Sequence, residues 1–198
     1  MRSGFFPKLE RLSRGLRRIG SLWKDRSGVG AVEFALTVPF IAIIYMAGSD
    51  ASMAVSVNRK IHNASSTIDD LVTQSQSMTK SELSALMNVT ASLVEPYSQS
   101  SVFIRVTQVK IDANGKQTVD WTQSYNPIAS YGTIKAGDIF HLPSSFANER
   151  SVYVIVTEAY YDYDALGGYG LTGPIKMGET NYLYPRIGTM IPCSDCAS

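Results

Sequence analysis

The sequence predicts an α+β fold: a long N-terminal transmembrane helix that continues into an exported domain with a second helix and a small antiparallel β-sheet. Three observations predict it. Residues 29–49 are an apolar run of about 20 residues, the length that crosses roughly 30 Å of hydrocarbon as a helix. Beyond it, Val57, Ile61, Ala64, Ile68 and Leu71 recur every three or four positions, one stripe of a helical cylinder. After residue 101 the pattern changes to period two, in runs separated by Gly, Pro, Asn and Asp.

Composition bounds the answer. The chain has 198 residues, enough for one ordinary domain and an appendage. Apolar residues make up 44% and charged residues 18%, which excludes a disordered or acidic-tail protein. The net charge of +1 hides an asymmetry: residues 1–28 hold eight of the eighteen basic side chains and only two acids, Glu10 and Asp25. The remainder carries ten basic against fifteen acidic side chains, hence −5. A basic end on a mildly acidic body argues for a membrane address rather than for nucleic acid.

The first element is therefore a basic leader, residues 1–28, followed by a span over residues 29–49 and an exported domain over residues 50–198. Arg2, Lys8, Arg11, Arg14, Arg17, Arg18, Lys24 and Arg26 all precede the span, and Arg59 and Lys60 are the first basic residues after it. The positive-inside rule keeps the N-terminus in the cytoplasm and exports everything after about Asp50. Phe5, Phe6, Leu9, Leu12, Leu16 and Ile19 give the leader some amphipathic character, suited to anionic lipid; an ordinary basic leader reads equally well. Ala47 and Ser49 resemble a signal-peptidase site, which would release a soluble protein starting at Asp50. Against that reading, the basic region is long and the helical pattern does not stop at the site.

Glu33 is the anomaly of the span. A carboxylate costs about 2.5–3.5 kcal/mol at the centre of a membrane helix and somewhat less near the interface, so such a residue has a partner, a function, or a place at headgroup level near Arg26. Pro39 removes a hydrogen bond in mid-span and is expected to kink or loosen the helix. No glycine or proline interrupts residues 49–95, so a continuous or once-bent helix over residues 29–76 is predicted, about 70 Å long at 1.5 Å per residue. Thr79 and Glu82 form a capping box that opens a second helix carrying Leu83, Leu86, Met87, Leu93 and Val94, ended by Pro96. Val102, Ile104 and Val106 alternate with Phe103, Arg105 and Thr107. Asp112, Asn114 and Gly115 mark a hairpin turn, with Val119 and Trp121 on the return strand. Residues 126–150 read as a loop, residues 152–161 as the strongest strand, Gly167 to Gly170 as a glycine-rich loop, and residues 180–184 as a last strand.

No catalytic constellation appears, and no cofactor or metal site is predicted. His62 and His141 are far apart in the sequence, and no Ser-His-Asp pattern has recognisable local context. Asp162 and Asp164 lack the further acidic ligands a calcium site needs. The glycine-rich loop lacks the following Lys and Ser of a phosphate loop. Asn63 and Asn88 sit in sequons, but inside helical patterns. Cys193 and Cys196 are spaced Cys-x-x-Cys with no following helix for a redox motif, and one pair cannot complete a tetrahedral zinc site. In an oxidising compartment they favour a short structural disulfide, with an intersubunit bond as the alternative. Ten of eleven tyrosines fall between Tyr97 and Tyr184, which suits either protein contacts or a tyrosine-rich sheet.

The basic leader, Gly28, and an apolar helix with Glu33 as its fifth residue after the glycine resemble a type IV prepilin processing site. More specifically, DRSGVGAVEFALTVPFI over residues 25–41 is similar to the opening segment of TadE/TadG-like proteins, the pseudopilins of tight-adherence (Flp-type) pilus systems. Ser27 and Gly28 stand for that family's small-residue pair, Ala31 to Ala35 for its Ala-Val-Glu-Phe-Ala, and Pro39 for its early proline. Ala64 to Val72 resembles its alanine-rich stretch closing on Asp-Leu. Tyr184, Pro185 and Arg186 with Cys193 and Cys196 resemble its closing motif and terminal cysteine pair, although Leu183 and Tyr184 depart from the residues expected before the proline. Residues 100–180 carry almost none of the resemblance.

The resemblance implies a non-enzymatic pseudopilin or minor pilin in a bacterial inner membrane, with the N-terminus cytoplasmic and the exported domain periplasmic or in the pilus. It implies that a prepilin peptidase cuts between Gly28 and Val29. It implies that Glu33 pairs with the new N-terminal amine of a neighbour, and that Glu33, Phe34 and Pro39 pack against other pilins or pseudopilins and the assembly machinery. Such a pair neutralises itself in apolar surroundings only in correct register.

Overall fold

The computed structural model describes residues 28–165 and 174–196. Residues 1–27 of the leader and the glycine-rich loop around Gly168 lie outside the described residues. The chain divides into two units with the boundary after Gly48.

The fold is α+β. Helix α1, Val29–Thr73, is followed by α2, Lys80–Ser92, and by four strands: β1, Val102–Ile111; β2, Gln117–Tyr125; β3, Val152–Tyr163; and β4, Ile175–Leu183. The sheet is antiparallel throughout, in the order β2-β1-β3-β4. α1 ends three residues earlier than the periodicity suggests. Its closing turn is stitched by Thr73 and Ser75 hydroxyls that donate back to the carbonyls of Asp69 and Leu71. α2 opens as predicted: Thr79 Oγ1 accepts from the Glu82 N–H, and Glu82 Oε2 accepts from the Thr79 N–H at 2.8 Å. At its far end, Lys60 Nζ from α1 donates to the carbonyls of Leu93 and Glu95, the acceptors a helix terminus leaves over.

The two helices supply one face of the core. Val57, Ile61, Ile68 and Val72 of α1 and Leu83, Met87 and Ala91 of α2 meet Ile104, Val106, Ile155, Ala159 and Trp121. The turn between β1 and β2 follows the predicted chemistry. Asp112 accepts from the N–H groups of Asn114 and Lys116, and Gly115 takes φ +83°.

A bulge separates two residues of the return strand. Val119 and Trp121 are two apart and belong on one face of a regular strand. The register shifts between Gln108 and Val109, so Trp121 faces Gln108 and Val119 faces Val109. Trp121 therefore joins the helix-side core, and Val119 turns to the other face. The inserted residue, Asp120, accepts from Gln108 Nε2 at 2.6 Å.

The other face of the sheet is also covered, by the loop expected over residues 126–150. That segment lies along β2, where the Val119 N–H donates to Asp138 O and the Gly137 N–H to Val119 O. Phe140, Leu142 and Phe146 pack on Val109, Ile111, Val154 and Val156. Arg105 holds the segment down, with its Nε 2.6 Å from Glu158 Oε2 and its Nη1 donating to Gly132 O at 3.1 Å. Tyr131 stacks on Phe103 and Tyr160, and Lys176 sits over the Tyr160 ring. β4 begins five residues earlier than its alternation suggests. Gly178, at φ +125°, brings its backbone against β3 so closely that a Cβ there would lie 2.0 Å from Ala159 O.

Candidate functional site

The first twenty residues of α1 carry the sequence-predicted site. Gly28 immediately precedes the helix, with nothing within 4 Å of where its Cβ would be, and its carbonyl accepts from the Val32 N–H. Val29 is the first helical residue, so a cut after Gly28 would leave a chain that is helical from its first residue. Glu33 is exposed, and its carbonyl accepts a second bond from Thr37 Oγ1 at 2.7 Å. Pro39 lies inside the helix, which continues through it; having no N–H, it leaves the Ala35 carbonyl without the usual donor. At 3.6 residues per turn, Glu33, Phe34 and Pro39 point to three different sides of the helix. The structure places all three on one element but not on one face.

Around them every large apolar side chain is exposed. Phe34 is 71% exposed and Ile44 72%. This is one helix long and apolar enough to cross a membrane, with none of its apolar stretch buried in the protein. A surface of that kind needs a bilayer or other helices around it. The helix also runs unbroken through Ala47, Gly48 and Ser49, the residues that resemble a signal-peptidase site.

The second half of α1 joins the sheet through polar anchors that the sequence pattern did not single out. Tyr163 Oη donates to Asp50 Oδ1 at 2.8 Å; burial first, and then the Asp50 carboxylate, push the tyrosine pKa up to about 12. His62 Nδ1 lies 2.8 Å from Glu179 Oε1. Asn181 Nδ2 reaches Asp69 Oδ2 at 2.7 Å and Ser65 Oγ at 3.1 Å. Arg186 pairs with Asp70 at 2.6 Å. Asp69 is buried, and its pKa is raised, chiefly by desolvation and then by the charges of Glu179 and Asp70, against the opposing bonds from Thr157 and Asn181. Its Oδ1 and the Thr157 hydroxyl have no partner in good hydrogen-bond geometry, although the hydroxyl lies near enough to the carboxylate to favour its charged form. The only sequence signal for this network is its spacing: His62, Ser65 and Asp69 lie on one helical face, and Glu179 and Asn181 on one strand face.

A cavity of about 320 Å³ beside this network is lined by Ser66, Asp69, Asp70, Asn181, Tyr182 and Leu183. Asp162 accepts the hydrogen bond of Tyr131 Oη. Cys193 and Cys196 are disulfide-bonded, with Cα atoms 5.4 Å apart. Among the described residues they form, with Asp195, the one cluster of potential metal ligands, and the disulfide occupies both sulfurs.

No protein-family model, curated protein or solved structure matches the chain.

Proposed function

We propose that this protein is a membrane-anchored pseudopilin or minor-pilin-like component of tight-adherence pilus assembly, acting by helix packing and subunit contacts rather than by catalysis. The observation that carries this reading is the first half of α1, residues 29–48: an unburied stretch, apolar on all sides, with Glu33 as the single charge between Gly28 and Asp50. A lone carboxylate is retained at such a place when a partner compensates it. In this reading the compensating group is the N-terminal amine of a neighbouring subunit. The prepilin-type pattern at Gly28 and Val29 and the TadE/TadG-like segment support that assignment. The basic leader orients the chain in a bacterial inner membrane with its folded domain in the periplasm.

N-terminal sequencing of protein recovered from membranes tests the reading. Processing by a prepilin peptidase gives a chain that starts at Val29 with a net charge of −5, from ten basic against fifteen acidic side chains. A start at Asp50 identifies signal-peptidase cleavage and refutes it. An intact N-terminus leaves the alternative, an uncleaved single-pass envelope protein whose folded domain binds a partner. Glu33→Gln keeps the shape and removes the charge. The variant inserts and folds but no longer co-purifies with other pilins, whereas normal association would remove the role assigned to the carboxylate.

A further inference from the structure

We propose that the Cys193–Cys196 disulfide is an oxidation-controlled latch on the junction between α1 and α2, and not a staple of the whole domain. The bond joins residues only three apart, so the chain entropy it removes from the unfolded state is small. Its effect is set by where the loop sits. The tail brackets the junction on both sides. The Arg186 N–H donates to the carbonyl of Thr73, the last residue of α1, at 2.8 Å. The Met78 N–H donates to Pro192 O at 3.0 Å. The N–H of Lys80, the first residue of α2, donates to Asp195 Oδ1 at 2.9 Å.

Asp195 therefore supplies α2 with a second acceptor beside its own N-cap, and a carboxylate at a helix N-terminus gains further from the macrodipole. Asp195 lies inside the loop that the disulfide closes, and so the bond holds it in place. The tail just before the loop is anchored independently. The buried Ile191 N–H donates to Gln108 Oε1, and Trp121 Nε1 donates to Ile191 O, both at 2.8 Å. Opening the bond thus frees residues 192–196 while Ile191 stays fixed. Both sulfurs belong to the helix-side core cluster, so the freed loop exposes apolar surface at the start of α2.

Closing the latch removes two protons and two electrons from the two thiols. The electrons pass by thiol–disulfide exchange to a partner disulfide, of an oxidoreductase or a small molecule, which leaves as two thiols. Opening is the reverse, with a dithiol as reductant. The latch does not depend on the pilus reading.

The test is amide exchange of the full chain in detergent, oxidised and after treatment with a dithiol. The Cys193→Ser/Cys196→Ser double variant supplies the open state where the buried bond resists reduction. Asp195→Ala is measured with the disulfide intact. Expected is exchange about tenfold or more faster at Met78 and Lys80 in the open state, with β1 and β3 unchanged and with reversal of the dithiol effect by oxidised glutathione. Asp195→Ala accelerates Lys80 and leaves Met78 protected. Equal protection at the junction in the two states overturns the proposal. So does uniform acceleration across the sheet, which would make the bond a global staple.

Discussion

The two halves of α1 have the same backbone and opposite surroundings. In residues 29–48 the apolar side chains circle the helix, and all the large ones are exposed. In residues 50–73 Val57, Ile61, Ile68 and Val72 form a fully buried stripe, while Met53, Val55 and Leu71, the last of them expected on the stripe, are exposed. Each half has a carboxylate out of keeping with its surroundings. Glu33 stands on the apolar helix with no side-chain partner among the described residues, and Asp69 is buried against β3 and β4. The difference shows that hydrophobicity alone does not make a core. A stripe finishes its burial within the chain, whereas an all-round apolar surface has to be buried by something else.

Truncation of one isoleucine in each half gives the widest contrast. Ile61→Ala opens a cavity in the core and should cost the folded domain about 2–5 kcal/mol in chemical denaturation. Ile41→Ala should leave that transition where it was. Equal destabilisation by both would show that the halves fold as one unit.

A charge in the first half reverses the contrast. Ile41→Arg places a cation in the middle of the apolar stretch, which in a bilayer costs about 2.5–3.5 kcal/mol. The expected result is protein lost from the membrane fraction with the denaturation transition of the folded domain unchanged. Normal membrane retention would remove the spanning role of this half.

The smallest effect is at Asp69. Its pKa is raised in the folded state, so its share of stability is complete below the ordinary carboxylate range. That share is lost as pH rises through the folded value. Asp69→Asn keeps an acceptor for Asn181 and offers an N–H to Thr157. The variant should gain about 1 kcal/mol at neutral pH and lose that part of the pH dependence. Denaturation of both proteins across the acid range checks the sign, and a variant less stable at neutral pH would contradict it.

Much of the fold was legible because it depends on local chemistry. The capping box at Thr79 and Glu82, the turn at Asp112 and Gly115, and the stripe from Val57 to Ile68 each rest on neighbours within a few residues. The bulge at Asp120 was not legible, because what fixes it is Gln108 on another strand, bonded both to Asp120 and to the tail at Ile191. The covering of the second sheet face was hidden for a similar reason. Phe103 and Arg105 look solvent-facing in an alternating strand and find their partners in Tyr131, Glu158 and Gly132. For the candidate site, Glu33 stood out as a charge and Pro39 as a proline in an apolar run, and Gly28 by its resemblance to a prepilin processing site. The anchors of the second half did not, since polar residues on a helix face carry no mark of what lies opposite.

The sequence by itself determined the helix, the apolar circumference of its first half, the basic charge of the leader and the alternation of the strands. These are one-dimensional patterns, read against the fixed periods of helix and strand. Only the tertiary structure decided which carboxylate is buried, which edge of the sheet the loop covers, and how the tail grips the junction of the helices. Each of these contacts joins residues far apart in the chain. Asp69 and Asn181, or Lys80 and Asp195, are partners only because the sheet and the tail bring them within hydrogen-bond distance.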